Sequence, residues 1–183
     1  MKIAHLLVAA VVLATLAPVY ACKELNAKSP DVSDAVRKTL DQQGLKQVTV
    51  SQDRDKGIVT LGGQVDTDQQ KTQAESIANS LAGGQVVADQ IAVVAPGTGK
   101  EVSAINSDLD QGIEKNLDAA LIQNKMQKDV SYAVKNGVVT LSGEVDSDAE
   151  RTGAESIAGA VPNVHQVVNV LQVTKTRKAS SGM

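Results

Sequence analysis

Few side chains in this 183-residue chain have the chemistry of a catalytic or metal site. His165 is the only histidine outside the apolar N-terminal segment, and we interpret it as a surface residue of a loop. The acidic stretch Asp53–Asp55 lacks the further oxygen ligands of a calcium shell, so we interpret it as a solvated turn. The chain also lacks cysteine and histidine spacing for zinc and a glycine-rich phosphate loop. We therefore expect no enzyme activity, no cofactor, no metal and no small-molecule substrate.

The N-terminal segment has the layout of a bacterial export signal. Lys2 provides a basic start, residues 3–16 are almost wholly apolar, and small residues precede Cys22. The apolar run is shorter than the roughly 20 residues of a membrane-spanning helix. We predict a signal peptide over residues 1–21.

Cys22 is the only cysteine of the chain. The segment Val19–Cys22 resembles the lipobox of bacterial lipoproteins, in which the cysteine receives acyl chains. We predict Cys22 as a lipid attachment site, followed by a tether that ends at residue 28 (22–28). Lys23 after the cysteine, by analogy with enterobacterial sorting, favours the outer membrane. The alternative is cleavage after Ala21 by the peptidase of soluble exported proteins, which would leave a soluble periplasmic protein.

The charge and the aromatic content argue against nucleic acid as a partner. The formal net charge is −3, and an acidic protein attracts polyanions poorly. Tyr132 is the only tyrosine, phenylalanine or tryptophan beyond the predicted signal, so the chain has almost no aromatic side chain on which a nucleic-acid base could stack. The one basic cluster is Lys175, Arg177 and Lys178. We predict a disordered tail over 176–183, with a weak phosphate or headgroup contact as the alternative.

One phrase of the sequence occurs twice, 80 residues apart. The segment 56–66 recurs at 136–146, and Ala-Glu-Ser-Ile-Ala recurs at 74–78 and 154–158. A repeat of this length indicates a duplicated folding unit. We predict one domain at 29–95, a proline- and glycine-containing linker at 96–103 and a second domain at 104–175.

Each unit begins with a predicted helix. Ser29-Pro30-Asp31 has the composition of a helix start, and an apolar face follows (Val32, Ala35, Val36 and Leu40). In the second copy we expect a cap at Asn106 or Ser107. The second copy also has an apolar stripe, which we interpret as a core face and not as a partner groove (Ile105, Leu109, Ile113, Leu117, Ala120 and Leu121).

Two strands, a second helix and a last strand follow in each unit. The turn Asn136-Gly137 predicts a two-residue hairpin. Thr67 with Gln70, and Ser147 with Glu150, predict capping boxes. Four glycines recur at equivalent places, and those inside the strands indicate a bulge or close approach by a helix. They are Gly57, Gly63, Gly137 and Gly143. The pattern predicts an α+β fold of two small domains, each α-β-β-α-β with two helices on one face of a three-stranded mixed sheet.

These motifs resemble the BON domain, named for bacterial osmotically inducible and nodulation proteins. The second copy has the pattern in full, over 137–145 and 167–173, whereas the first has Asp89 in place of Asn169. The resemblance implies a non-enzymatic protein of the cell envelope that associates with phospholipid membranes and supports envelope integrity or osmotic-stress tolerance. It implies no cofactor.

The alternative is a periplasmic protein-interaction or chaperone-like module, with envelope proteins as partners. The second helix of the second copy is acidic and lacks an aromatic residue to sit at a lipid headgroup boundary. It has four acidic residues, Asp146, Asp148, Glu150 and Glu155, and a single basic residue, Arg151. This helix therefore favours protein partners, and the sequence assigns no lipid-contact residue.

Overall fold

The structure, a computed structural model, describes residues 28–174. The predicted signal peptide, Cys22, nearly all of the tether and the basic tail lie outside the described residues. Each copy of the repeat forms its own helix-and-strand unit. The first contains α1 (Ser33–Gln42), β1 (Val48–Asp53), β2 (Ile58–Val65), α2 (Asp68–Leu81), β3 (Val86–Asp89) and β4 (Ala92–Val93). The second contains α3 (Gly99–Gln123), β5 (Val130–Lys135), β6 (Val138–Val145), α4 (Asp148–Gly159), β7 (Gln166–Asn169) and β8 (Gln172–Val173).

The predicted two-domain α+β fold is confirmed. In each sheet the first strand pairs antiparallel with the long second strand, which pairs in parallel with the third. The last predicted strand is split in both copies. Asp89 Oδ1 accepts from Ile91 N at 3.0 Å, and Asn169 Oδ1 accepts from Leu171 N at 3.2 Å. This side-chain turn interrupts the ladder, and the short β4 and β8 then resume pairing with β2 and β6.

The helices of each domain cover one face of its sheet. In the first domain Val36 and Leu40 of α1 pack with Ala74 and Ala78 of α2 on the strand residues that include Leu61. The alanines leave little side chain between helix and sheet, so the backbones approach closely. The second domain repeats this core with leucine and isoleucine from α3. Ala35, expected on the core face of α1, is exposed.

Two predicted helix starts differ from the structure. α1 begins at Ser33 with Val32 as its N-cap residue, and Asp31 lies before the helix, where its Oδ1 accepts from Ser33 N at 3.2 Å. α3 begins at Gly99, inside the predicted linker, so Asn106 and Ser107 lie within the helix and are not its cap. A helix can extend through a polar segment where neighbouring elements pack against that segment, and the composition of the segment does not indicate this.

The second helices begin as predicted. Thr67 Oγ1 accepts from Gln70 N at 3.2 Å, and Ser147 Oγ accepts from Glu150 N at the same distance. The returning side chain bonds one residue earlier than the capping-box rule states, since Gln70 Oε1 accepts from Asp66 N at 2.9 Å.

All four repeated glycines have positive φ, with 66° at Gly57, 93° at Gly63, 73° at Gly137 and 125° at Gly143. At the two strand positions the close neighbour is backbone, not a helix as expected. A Cβ on Gly143 would lie 2.3 Å from the carbonyl oxygen of Asp129, the residue just before β5. Glycine is needed there because the backbone that leads into the adjoining strand lies too close to leave room for a Cβ.

Candidate functional site

The two domains contact each other through the sheet faces that their own helices leave open. Ile58 and Ala88 from the first domain meet Val138 and Val168 from the second, and Val170 packs beside them. All four of these core residues are nearly inaccessible to solvent. The contact places β3 next to β7, so the long strands and the last strands of the two domains build one junction.

Gln166 closes this junction along the outer edge of β3. Its Oε1 accepts from Asp89 N at 3.0 Å, and its Nε2 donates to Val87 O at 2.8 Å. One amide side chain thus satisfies both a donor and an acceptor that an edge strand presents outward. The register of the sheets places Val86 at the equivalent position of the first copy. A valine has no group for these bonds, so the junction is asymmetric.

The hairpin turn of the second domain also contacts the first domain. Asp110 of α3 accepts from Asn136 N and Gly137 N, both at 2.9 Å, through its two carboxylate oxygens. Lys135 pairs with Val138, as a two-residue turn requires. Asn136 Nδ2 then donates to Gln90 O of the first domain at 2.6 Å. The predicted hairpin is therefore present, and its turn is also a domain contact.

α3 continues past this turn towards the first domain, and its apolar stripe becomes exposed there. Ile105 is 57% exposed and Leu109 is 45% exposed, whereas Ile113 is buried. At Ser103 the helix meets β2, because Gln64 Nε2 donates to Ser103 Oγ at 3.1 Å. The prediction of a core face was wrong for Ile105 and Leu109, which lie beyond the sheet that covers the rest of the stripe.

A polar groove of about 220 Å³ runs between α3 and the first sheet. Its lining is mostly amides, hydroxyl and glycine backbone, with Lys135 as the charged member. Within residues 28–174 no group of three or more histidine, cysteine, aspartate or glutamate side chains could hold a metal ion. His165 is exposed, and its backbone N donates to Gly137 O at 2.9 Å.

Three ionisable groups of the described residues have displaced pKa values, and hydrogen bonds from the Ser33 hydroxyl and backbone N–H lower the pKa of Asp31. Burial raises the pKa of Asp89, against the lowering effects of the Ile91 N–H and of Lys71. Burial also raises the pKa of Tyr132, and the charges of Asp118 and Glu114 raise it further. Asp89 has Lys71 as its charged neighbour, with Oδ2 3.8 Å from Nζ, which is an ion pair and not a nucleophile with its base.

The surface of α4 is acidic, as the sequence indicates. Asp148, Glu150 and Glu155 are all exposed. Over the described part of the chain, no helix is both long and apolar enough to cross a bilayer.

Residues 29–95 and 109–175 each match the BON domain. The chain belongs to the BON-domain family. It is also similar to "Osmotically-inducible protein Y" of Escherichia coli (strain K12), with 33% identity over 135 residues. That match covers 73% of this chain and 66% of the relative, so it spans just under two thirds of the relative's length. Both similarities point to a non-catalytic protein.

Two solved structures of CdsD, described as a structural protein of the type III secretion system of Chlamydia trachomatis, also match. Both are 17% identical with a TM-score of 0.31. They cover 78% and 77% of this chain, and 62% and 66% of their own chains.

Proposed function

We propose that this BON protein is a non-enzymatic component of the bacterial envelope that associates with phospholipid membrane and supports osmotic-stress tolerance. The family membership and the similarity to an osmotically inducible protein support the osmotic and envelope role. The observation that carries the membrane contact is the exposed apolar pair of α3, Ile105 and Leu109. In this proposal Cys22 is acylated and tethers the chain to the outer membrane from the periplasm.

The α3 pair is suited to shallow insertion. The two residues are four positions apart, so they lie on the same face of the helix, one turn apart. Neutral Gly112 and Asn116 continue that face. Half-exposed aliphatic side chains each contribute about 1 kcal/mol when the remaining surface leaves water. Two of them give weak binding by themselves, which acyl chains on Cys22 would convert into stable attachment.

The test uses the full chain with Cys22→Ser, so that the folded domains act without acyl chains. We expect it to cosediment with vesicles of phosphatidylethanolamine and phosphatidylglycerol. Ile105→Ser with Leu109→Ser should lower the partition coefficient roughly 30-fold, the equivalent of about 2 kcal/mol. The matched control is Ile122→Ser, which removes another exposed aliphatic side chain (49% exposed) from the same helix.

Ile122 is rotated away from the proposed contact, at roughly 100° per residue and 1.5 Å of rise, and its variant should bind as the parent does. Absence of vesicle binding by the Cys22→Ser chain would overturn the membrane contact. An unchanged partition of the double variant would overturn the α3 face. Mass spectrometry of the mature N-terminus tests the anchor separately, and an unmodified Cys22 would refute it.

The second candidate is a protein-interaction or chaperone-like role in the periplasm. The exposed acids of α4 favour it, because they repel anionic headgroups and can attract basic protein segments. Under this role the purified chain suppresses aggregation of an unfolded client. Equal aggregation of the client with and without the chain would argue against it.

A further inference from the structure

The outer strands of the two sheets, β1 and β5, each have one edge that pairs with no other strand of residues 28–174. The direction of their backbone groups follows from the pairing. Val130 N donates to Met126 O at 3.1 Å and not to β6. Since the groups alternate along a strand, the N–H and C=O groups of Tyr132 and Val134 point outward. In β1 the equivalent outward residues are Val50 and Gln52, because Val48 N donates to Leu45 O.

The first domain covers part of its edge. Arg37 of α1 donates from Nη2 to Val50 O at 2.9 Å, at the centre of the strand. Just beyond the strand, Ser29 N donates to Arg54 O at 2.9 Å. A guanidinium and a backbone segment therefore block the approach of another strand to β1.

The second domain leaves the equivalent edge open. The helix ends align the two copies, because Leu45 N donates to Leu40 O and Met126 N donates to Leu121 O. This alignment places Asp118 of α3 where α1 has Arg37. A carboxylate cannot donate to the outward carbonyl of Tyr132. Throughout the described chain, no side chain donates to the outward carbonyls of β5.

The surroundings of this edge are acidic and contain the one tyrosine of the described residues. The half-buried Tyr132 lies against α3, and its hydroxyl donates weakly to Glu114 O at 3.4 Å. The side chains of Asp118 and Glu114 lie near enough to act electrostatically on the phenol. A strand that paired with β5 would place one side chain beside this ring and these two carboxylates.

We propose that the outer edge of β5 binds an extended segment of another polypeptide, which adds as a further strand and carries a lysine or arginine beside Tyr132 and Asp118. The backbone of the segment would pair with Tyr132 and Val134, which supplies affinity without a sequence requirement. Its basic side chain would meet the two carboxylates and can lie over the phenol ring. Alternating β-branched residues would suit the rest of the strand.

Charge argues against a second copy of this chain as the occupant. Antiparallel pairing of β5 with itself around Tyr132 would bring Asp118 and Glu114 of both copies to the same place. Like charges at such close positions destabilise a pairing. A basic strand from another polypeptide avoids this repulsion. Its positive side chain would lie at the edge of β5, as that of Arg37 lies at the edge of β1.

The test measures peptide binding to the full, ¹⁵N-labelled chain by NMR. The probe is a short peptide of alternating threonine and valine with one central arginine. We expect it to shift the amide signals of Tyr132 and Val134. A peptide with glutamate at the central position should bind about tenfold more weakly. A peptide N-methylated on its pairing edge should not bind, because methylation removes the backbone donors.

Substitutions in the protein test the same contact. Asp118→Arg copies Arg37 of the first domain, so it should cover the carbonyl of Tyr132 and abolish binding of the arginine peptide. Asp108→Arg changes the net charge equally at an exposed position of α3 and should leave binding unchanged. If Asp118→Arg unfolds by circular dichroism, Asp118→Asn replaces it and should remove the preference for arginine over glutamate.

Equal binding of the arginine, glutamate and N-methylated peptides would overturn the proposal, as would shifts confined to residues away from β5. The proposal deepens the protein-interaction role and does not depend on the membrane contact. A chain that protects an unfolded client but ignores all three peptides would overturn the edge site and leave that role standing.

Discussion

Replacing Asp89 with asparagine should stabilise the protein at neutral pH. Asp89 is only 7% exposed, and its Oδ2 lies 3.8 Å from Lys71 Nζ, too far for a hydrogen bond. The second copy has Asn169 in the same turn. There the amide keeps the bond from Leu171 N and also donates to Arg151 O at 2.9 Å and Glu155 Oε2 at 3.1 Å.

The magnitude follows from the bonds exchanged in Asp89→Asn. The repeat places Lys71 and Glu75 where the second copy has Arg151 and Glu155, so two acceptors are in place for the new amide. Two hydrogen bonds contribute about 1 kcal/mol each, and loss of the partly exposed Lys71 contact removes about 0.5 kcal/mol. The net gain in the free energy of unfolding is about 1–2 kcal/mol at pH 7.

The gain should depend on pH in a defined direction. Burial raises the pKa of Asp89 above its ordinary value of 3.8, so the folded state favours the protonated acid. The contribution of Asp89 to stability is fully present below pH 3.8 and is lost as the pH rises through the raised folded value. The advantage of Asp89→Asn is therefore largest at neutral pH and shrinks in acid.

Urea unfolding followed by circular dichroism measures this. At pH 7 the midpoint of Asp89→Asn should rise by about 0.5–1 M relative to the parent. Asp108→Asn, which neutralises an exposed acid on α3, should stay within about 0.5 kcal/mol of the parent. A destabilised Asp89→Asn at pH 7, or a gain of equal size at pH 7 and below pH 3.8, would refute this account of the buried carboxylate.

Further substitutions test the turn and the junction. Gly143→Ala should lower the free energy of unfolding by more than about 2 kcal/mol, because its Cβ would collide with the carbonyl oxygen of Asp129. Gly153→Ala, within α4 and with open space around it, should raise it by about 0.5–1 kcal/mol in the same urea unfolding assay. Gln166→Ala should lower it by about 1–3 kcal/mol, since two buried backbone groups of β3 lose their partner. The same change at exposed Gln172 should have little effect, and equal losses at the two positions would contradict the importance of the junction.

The parts of the fold that depend on local chemistry could be predicted from the sequence. The hairpin turn at Asn136 and Gly137 and the caps at Thr67 and Ser147 follow from side chains within a few residues of the backbone groups they satisfy. These contacts involve only residues close together in the sequence, so equivalent residues form the caps in both copies of the repeat.

The surfaces proposed for function could not be predicted in this way. Helical periodicity places Ile105 and Leu109 on the stripe of Ile113, but it does not say where the sheet beneath that stripe ends. Likewise, Arg37 and Asp118 look like ordinary charges of a solvated helix face. Their difference matters only because each lies beside the outer edge of a strand, and that requires tertiary structure.

The junction between the domains also has a consequence for assembly. It is formed by the same positions of both copies, Ile58 with Val138 and Ala88 with Val168, so the surface is nearly self-complementary. Each copy uses its apolar patch on the other, which makes the chain a covalently linked counterpart of a closed homodimer. A third repeat of this kind would find no free apolar patch to pack against. A second domain produced alone would regain a free patch and should form dimers.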